Sequence, residues 1–143
     1  MSYRIAGIDV HKRMLAVVVS EVEVYDEYSF ERRTFGTSPA QLRSLAAWLL
    51  EQQVEEVVME STAQYWKPVW GALERCWQPL CRKREGARPT SGALHLAQAK
   101  SNHAPRGRKN DFADAERLVK RWVTARRKPK RIEPSTRLRR LLF

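Results

Sequence analysis

The chain has 143 residues, 43% of them hydrophobic, which suits one domain with a real core and excludes wholesale disorder. No apolar run approaches the roughly 20 residues of a membrane span, and no signal peptide is evident. Net charge is +11 and uneven: residues 1–75 hold 8 Lys+Arg against 11 Asp+Glu, a net of −3, while residues 76–143 hold 19 against 5, a net of +14. The second half thus expects a polyanionic partner, nucleic acid first, because neutralising phosphates releases counterions.

YRIAGIDVHKRMLAVVVSEVEV reads as a strand, a tight turn and a second strand. Ile5, Gly7 and Ile8 form an apolar stretch, His11, Lys12 and Arg13 reverse the chain, and Leu15 to Val19 is a continuous apolar, Val-rich run. EYSFERRTFGT alternates Tyr28 and Phe30 with polar neighbours, as a half-exposed third strand does. Ser38 followed by Pro39 predicts a helix start, and Leu42, Leu45, Ala46, Leu49 and Leu50 carry the helix to about Gln53. Val57 to Met59 is a short strand ending at Glu60.

YWKPVWGALERCW has helical spacing, with Pro68 tolerable only near its start. CRKREGARPTSGA lacks periodicity and reads as a loop, whereas LHLAQAK is open between strand and helix. Phe112, Ala115, Leu118, Val119 and Trp122 mark a further helix from Asp111. Beyond Thr124 the chain is basic and broken by prolines, so the expected organisation is a domain over 1–124 and a linker or tail over 125–143. The order of elements predicts an α/β fold, a mixed sheet with helices on its faces.

Four acids interrupt or end apolar elements: Asp9, Glu60, Asp111 and Asp114. A carboxylate on a core strand is costly unless it is paired or bound to metal, and carboxylate oxygens suit hard cations. A strand aspartate, a second-strand glutamate and an aspartate pair on one helix face would suffice for two ions and phosphodiester chemistry. Each acid also has a plain structural account. Asp9 would initiate the turn by Asx hydrogen bonding, Glu60 would cap the following helix, and Asp111 with Asp114 would form a capping box.

Three segments sharpen this reading. GIDVHK, VVMESTAQYWKPVWGALE and RGRKNDFADAERL resemble, in the same order, the DEDD transposases of the insertion-sequence-110 family. Those are recombinases of bacterial mobile elements, related to the Piv DNA invertase and guided by a bridge RNA. The resemblance spans about residues 3–123, and its specific part joins GIDVHK to Lys109, Asp111, Asp114 and Ala115 in K-x-D-x-x-D-A. It implies an RNase H-like fold, like that of a Holliday-junction resolvase, with Mg²⁺ (or Mn²⁺) at Asp9, Glu60, Asp111 and Asp114 supporting strand cleavage and exchange.

The resemblance further implies DNA (element ends and target) and a guide RNA as partners, no membrane, a homo-oligomer in the full-length family, and a bacterial cytoplasmic, nucleoid-associated location. Arg106, Arg108 and Lys109 are then expected beside the nucleic-acid backbone. Lys12 is a candidate phosphate contact, and Arg126, Arg127 and Lys128 belong to a charge run able to track phosphates. The family continues into a second domain bearing a nucleophilic serine. No serine here matches it, so no nucleophile is assigned and an N-terminal fragment is expected.

Smaller signals carry less. His11 is open between a turn residue and a phosphate contact; His95 and His103 lie too far from a cysteine pair for zinc, and Cys76 with Cys81 make no four-ligand site, consistent with a reducing intracellular setting. Tyr65, Trp66 and Trp70 read as core before base-stacking platforms. Two further readings compete with a catalytic transposase: an inactive nucleic-acid-binding remnant, and a sugar-kinase-like or actin-like ATPase with a Gly-Ile-Asp turn. Against the ATPase stand His11-Lys12 where small residues are usual and the lack of a second Gly-rich phosphate loop.

Overall fold

The computed structural model describes residues 3–22, 29–97 and 111–127. Among these described residues there are five strands: β1 (Tyr3–Val10), β2 (Met14–Val22), β3 (Phe30–Gly36), β4 (Glu56–Ser61) and β5 (Ala93–Ala97). Four helices accompany them: α1 (Pro39–Glu51), α2 (Trp66–Cys76), α3 (Gln78–Lys83) and α4 (Asp111–Arg127). The strands form one sheet in the order β3-β2-β1-β4-β5. The first three pair antiparallel, while β4 runs parallel to β1 and β5 parallel to β4. This is the expected mixed sheet, and the LHLAQAK ambiguity resolves to a strand.

Alternation along β1 sends its residues to two cores. Ala6, Ile8 and Val10 join Leu45, Leu49, Leu73 and Trp77 of the α1, α2 and α3 side. Ile5 packs with Val58 of β4 and with Ala115, Leu118, Val119 and Trp122 of α4 on the other side. Helices on both faces explain why β1 and β2 are apolar nearly throughout rather than alternating. Backbone hydrogen bonding from His11 N to Met14 O, 3.0 Å, closes the predicted turn between them.

Helix α1 starts as expected, with Ser38 Oγ accepting from Gln41 N at 3.2 Å and Pro39 in the first turn. The stretch expected to be a loop from Cys81 needs a correction, because α3 includes Cys81, Arg82 and Lys83. Leu73, Trp77 and Cys81 are four apart and all fully buried. One apolar stripe therefore continues across a break, and Pro79, having no N–H to offer Arg75, explains why the helix divides there. Three consecutive basic residues, Arg82 to Arg84, hid that continuation from the hydrophobic pattern. Helix α4 likewise runs one turn past Thr124, to Arg127.

Contact between α4 and β1 is unusually close. A Cβ added at Gly7 would stand 2.6 Å from Val119 Cγ2 and 2.8 Å from the backbone oxygen of Ala115. Only glycine lets the helix backbone lie this near the strand. Gly7 and Ala115, both members of the motifs singled out above, thereby fix how α4 sits over the sheet.

Candidate metal centre

Asp9 and Glu60 are the penultimate residues of β1 and β4 and are Cα partners in the parallel register. Neighbouring parallel strands lie about 4.8 Å apart, and paired residues point to the same face. That face is the one α4 covers, since Ile5 and Val58 precede the two acids at even spacing and pack against it. Both acids sit at the carboxyl ends of their strands, where open α/β sheets bind ligands. Asp9 and Glu60 are 7% and 5% exposed.

Asp111 and Asp114 occupy the first turn of α4. Asp114 is buried at 7% and forms an ion pair with Arg117 of the next turn. Asp111 is half-buried. Its carboxylate oxygen lies 3.1 Å from His11 Nε2, which lies 3.0 Å from Asp9 Oδ2. Donor atoms of Asp9, His11 and Asp111 all fall within 4.8 Å of one another.

Electrostatics mark Asp9 as the focus. Its carboxyl is pushed up to about 6, chiefly by burial, with His11 opposing through charge and a hydrogen bond and Asp114 and Asp111 adding to the rise. A divalent cation is what relieves such crowding of carboxylates, and the oxygen-rich donor set fits a hard ion. The residues present therefore fit the metal that the fold implies.

The plain accounts of these acids fare unevenly. The Asp9 side chain meets the His11 ring rather than simply serving its own turn. Glu60 lies inside β4, and α2 begins only at Trp66 with no acid in its first turn, so Glu60 is no helix cap. Lys12 is exposed beside His11. Arg126 and Arg127 belong to the last turn of α4, about 22 Å along the helix from Asp111 at 1.5 Å per residue. Arg106, Arg108, Lys109, Lys128 and His103 lie outside the described residues.

Two residues play parts that the sequence did not assign to them: His11, expected as a turn residue or a phosphate contact, and Glu56. His11 was visible as the second residue after Asp9, a spacing that places both on one face of an extended chain, but a turn needs polar residues anyway. Glu56 was not singled out. It is 4% exposed, and its Oε2 accepts from His95 Nε2 at 2.7 Å and Trp122 Nε1 at 3.2 Å. This further buried acid under α4 is held by protein donors, the ordinary solution for a carboxylate in a core.

A transposase family model, that of the DEDD insertion-sequence-110 type, matches residues 6–142. The chain belongs to this family of DEDD transposases. Among solved structures, Thermus thermophilus RuvC is similar over 86% of this chain and 95% of its own, with a TM-score of 0.55 at 16% identity. The same protein in complex with a Holliday junction substrate is similar over 87% and 95%, with a TM-score of 0.53 at 14% identity. At such identity the likeness is one of fold, and the fold of this family member is RNase H-like, as the resemblance of its motifs implied. No curated protein matches in sequence.

Proposed function

We propose that this chain is the metal-dependent catalytic domain of a DNA transposase, cleaving and exchanging strands at the ends of an insertion sequence and at its target. The observation that carries the reading is the register pairing of Asp9 with Glu60 beneath the end of α4 that bears Asp111 and Asp114. Family membership supports the same function, and the junction bound by the similar RuvC fits a branched DNA substrate for this chain.

In this reading Asp9, Glu60, Asp111 and Asp114 hold Mg²⁺ or Mn²⁺. Such ions would polarise the scissile phosphodiester and stabilise the attacking and leaving oxygens. The chain's own residues do the positioning. Gly7 brings α4 down so that acids from a helix and two strands converge, and Arg117 orients Asp114. Lys12, exposed at the rim, binds a substrate phosphate as a point charge. Residues 76–143, with their surplus of cations, hold the backbone of DNA and of a guide RNA; Arg106, Arg108, Lys109, Arg126, Arg127 and Lys128 are the contacts we assign to it.

Nicking of a branched DNA substrate tests the proposal. Wild-type protein should cut with Mg²⁺ or Mn²⁺ and stop with EDTA, and Asp9→Asn should lose cleavage by about 100-fold or more while still binding DNA. DNA binding by wild type without cleavage in any divalent ion would leave the nucleic-acid-binding remnant as the function.

A further inference from the structure

Beyond the four acids, one side chain stands between two of them, Asp9 and Asp111. His11 Nε2 lies 3.0 Å from Asp9 Oδ2 and 3.1 Å from Asp111 Oδ1. A ring nitrogen carries at most one hydrogen, so it can donate a full hydrogen bond to only one of these two oxygens. Neighbouring ligands of a six-coordinate ion with bonds of about 2.1 Å stand about 3.0 Å apart, so both separations equal an edge of that octahedron. The nitrogen thus stands at ligand spacing from each oxygen, and all three donor atoms lie within 4.8 Å of one another.

We propose that His11 is a further ligand of the centre, binding the cation through Nε2, and that this nitrogen makes the site prefer Mn²⁺ and later first-row ions to Mg²⁺. The inference rests on the carboxylate centre argued above. Its physical basis is donor chemistry: an all-oxygen set suits Mg²⁺, whereas imidazole adds affinity for transition ions and little for magnesium. The position of His11 is also protected against loss of its ring. The turn that carries it is closed through its backbone N–H, bonded to Met14 O at 3.0 Å, and α4 is seated by Gly7 rather than by the histidine. His11→Ala should fold.

Pulsed electron paramagnetic resonance of Mn²⁺ bound to the full chain tests this without any cleavage assay. Wild type should show nitrogen-14 modulation from a coordinated imidazole, and His11→Ala should lose the modulation while Mn²⁺ stays bound to the acids. In competition titrations the Mn²⁺-to-Mg²⁺ affinity ratio should fall about tenfold in His11→Ala, because the lost imidazole contributes to the transition ion and little to magnesium. Mn²⁺ bound at a site that Asp9→Asn abolishes, yet without nitrogen modulation or with an unchanged ratio in His11→Ala, overturns the histidine ligand and leaves the carboxylate centre standing. Wild type that binds no Mn²⁺, or binding indifferent to Asp9→Asn, overturns both.

Discussion

The two faces of the sheet solve different problems. The face under α1, α2 and α3 is closed by large apolar side chains, with Leu45, Leu49, Leu73 and Trp77 fully buried. The face under α4 is thinner and carries Asp9, Glu56, Glu60 and Asp114, all the buried carboxylates among the described residues. One side gains stability from packing alone. The other accepts the desolvation of acids, which folds offset by pairing, as Glu56 does with His95 and Trp122, or by binding a cation. Apolar packing and buried acids are thus separated across a single layer of backbone.

Substitutions on each face should break this comparison in opposite ways. Leu45→Ala, on the apolar side, should cost about 2–5 kcal/mol in urea unfolding yet leave divalent affinity of the folded protein unchanged. Gly7→Ala should cost less, about 1–3 kcal/mol, because α4 retreats rather than leaving a void. Its effect on calorimetric metal binding should nevertheless be severe, since retreat carries Asp111 and Asp114 away from Asp9 and Glu60. Full metal affinity in Gly7→Ala would show that close helix packing does not assemble the centre.

How far the sequence revealed this division differs element by element. Local patterns were enough for the first four strands, for Ser38 and Pro39 opening α1, and for the mixed sheet, because period and capping chemistry are short-range, whereas LHLAQAK stayed open between strand and helix. Asp9, Glu60, Asp111 and Asp114 stood out as acids interrupting apolar runs. That Glu60 pairs with Asp9 and that Asp111 comes within reach of Asp9 through His11 was not legible, for it depends on strand register and on the contact of Gly7 with Ala115, more than 100 positions apart. Glu56 shows the limit from the other side. It begins a strand as inconspicuously as any surface acid, and only the return of β5 and α4 brings His95 and Trp122 onto it. Helix α3 was missed because its buried stripe is a single cysteine among cations.

A titration sharpens the same contrast. The carboxyl of Asp9 rises from 3.8 unfolded to about 6 folded. Its folded form holds the proton more tightly, so the associated stability is fully present below pH 3.8 and is lost as pH rises through 6. Complete transfer of the shift would amount to about 3 kcal/mol, and water at the mouth of the site reduces this to about 2 kcal/mol. In EDTA, Asp9→Asn should match or exceed wild type at pH 8, with an advantage that grows between pH 4 and 8 in paired denaturation curves. Saturating Mn²⁺ should reverse the order at pH 8, because only wild type gains binding energy. A pH-independent difference in EDTA would mean that Asp9 does not carry the strain.

The smallest effect should come from the tether at the sheet edge. Arg32 of β3 places Nη2 2.6 Å and Nε 2.7 Å from Glu116 Oε2 of α4, and its guanidinium carbon lies 6.0 Å from the centre of the Phe112 ring. Both partners belong to the end of the helix that carries Asp111 and Asp114. The Arg32 side chain is 56% exposed, however, and exposed ion pairs contribute only about 0.2–1 kcal/mol. Arg32→Ala should therefore lower stability within that range, by less in high salt, and should change Mn²⁺ affinity by less than about tenfold, since less than 1.4 kcal/mol is available to transmit. A larger loss of affinity would relocate control of α4 from the buried glycine contact to the solvent edge, and the two faces would no longer differ in the way their packing implies.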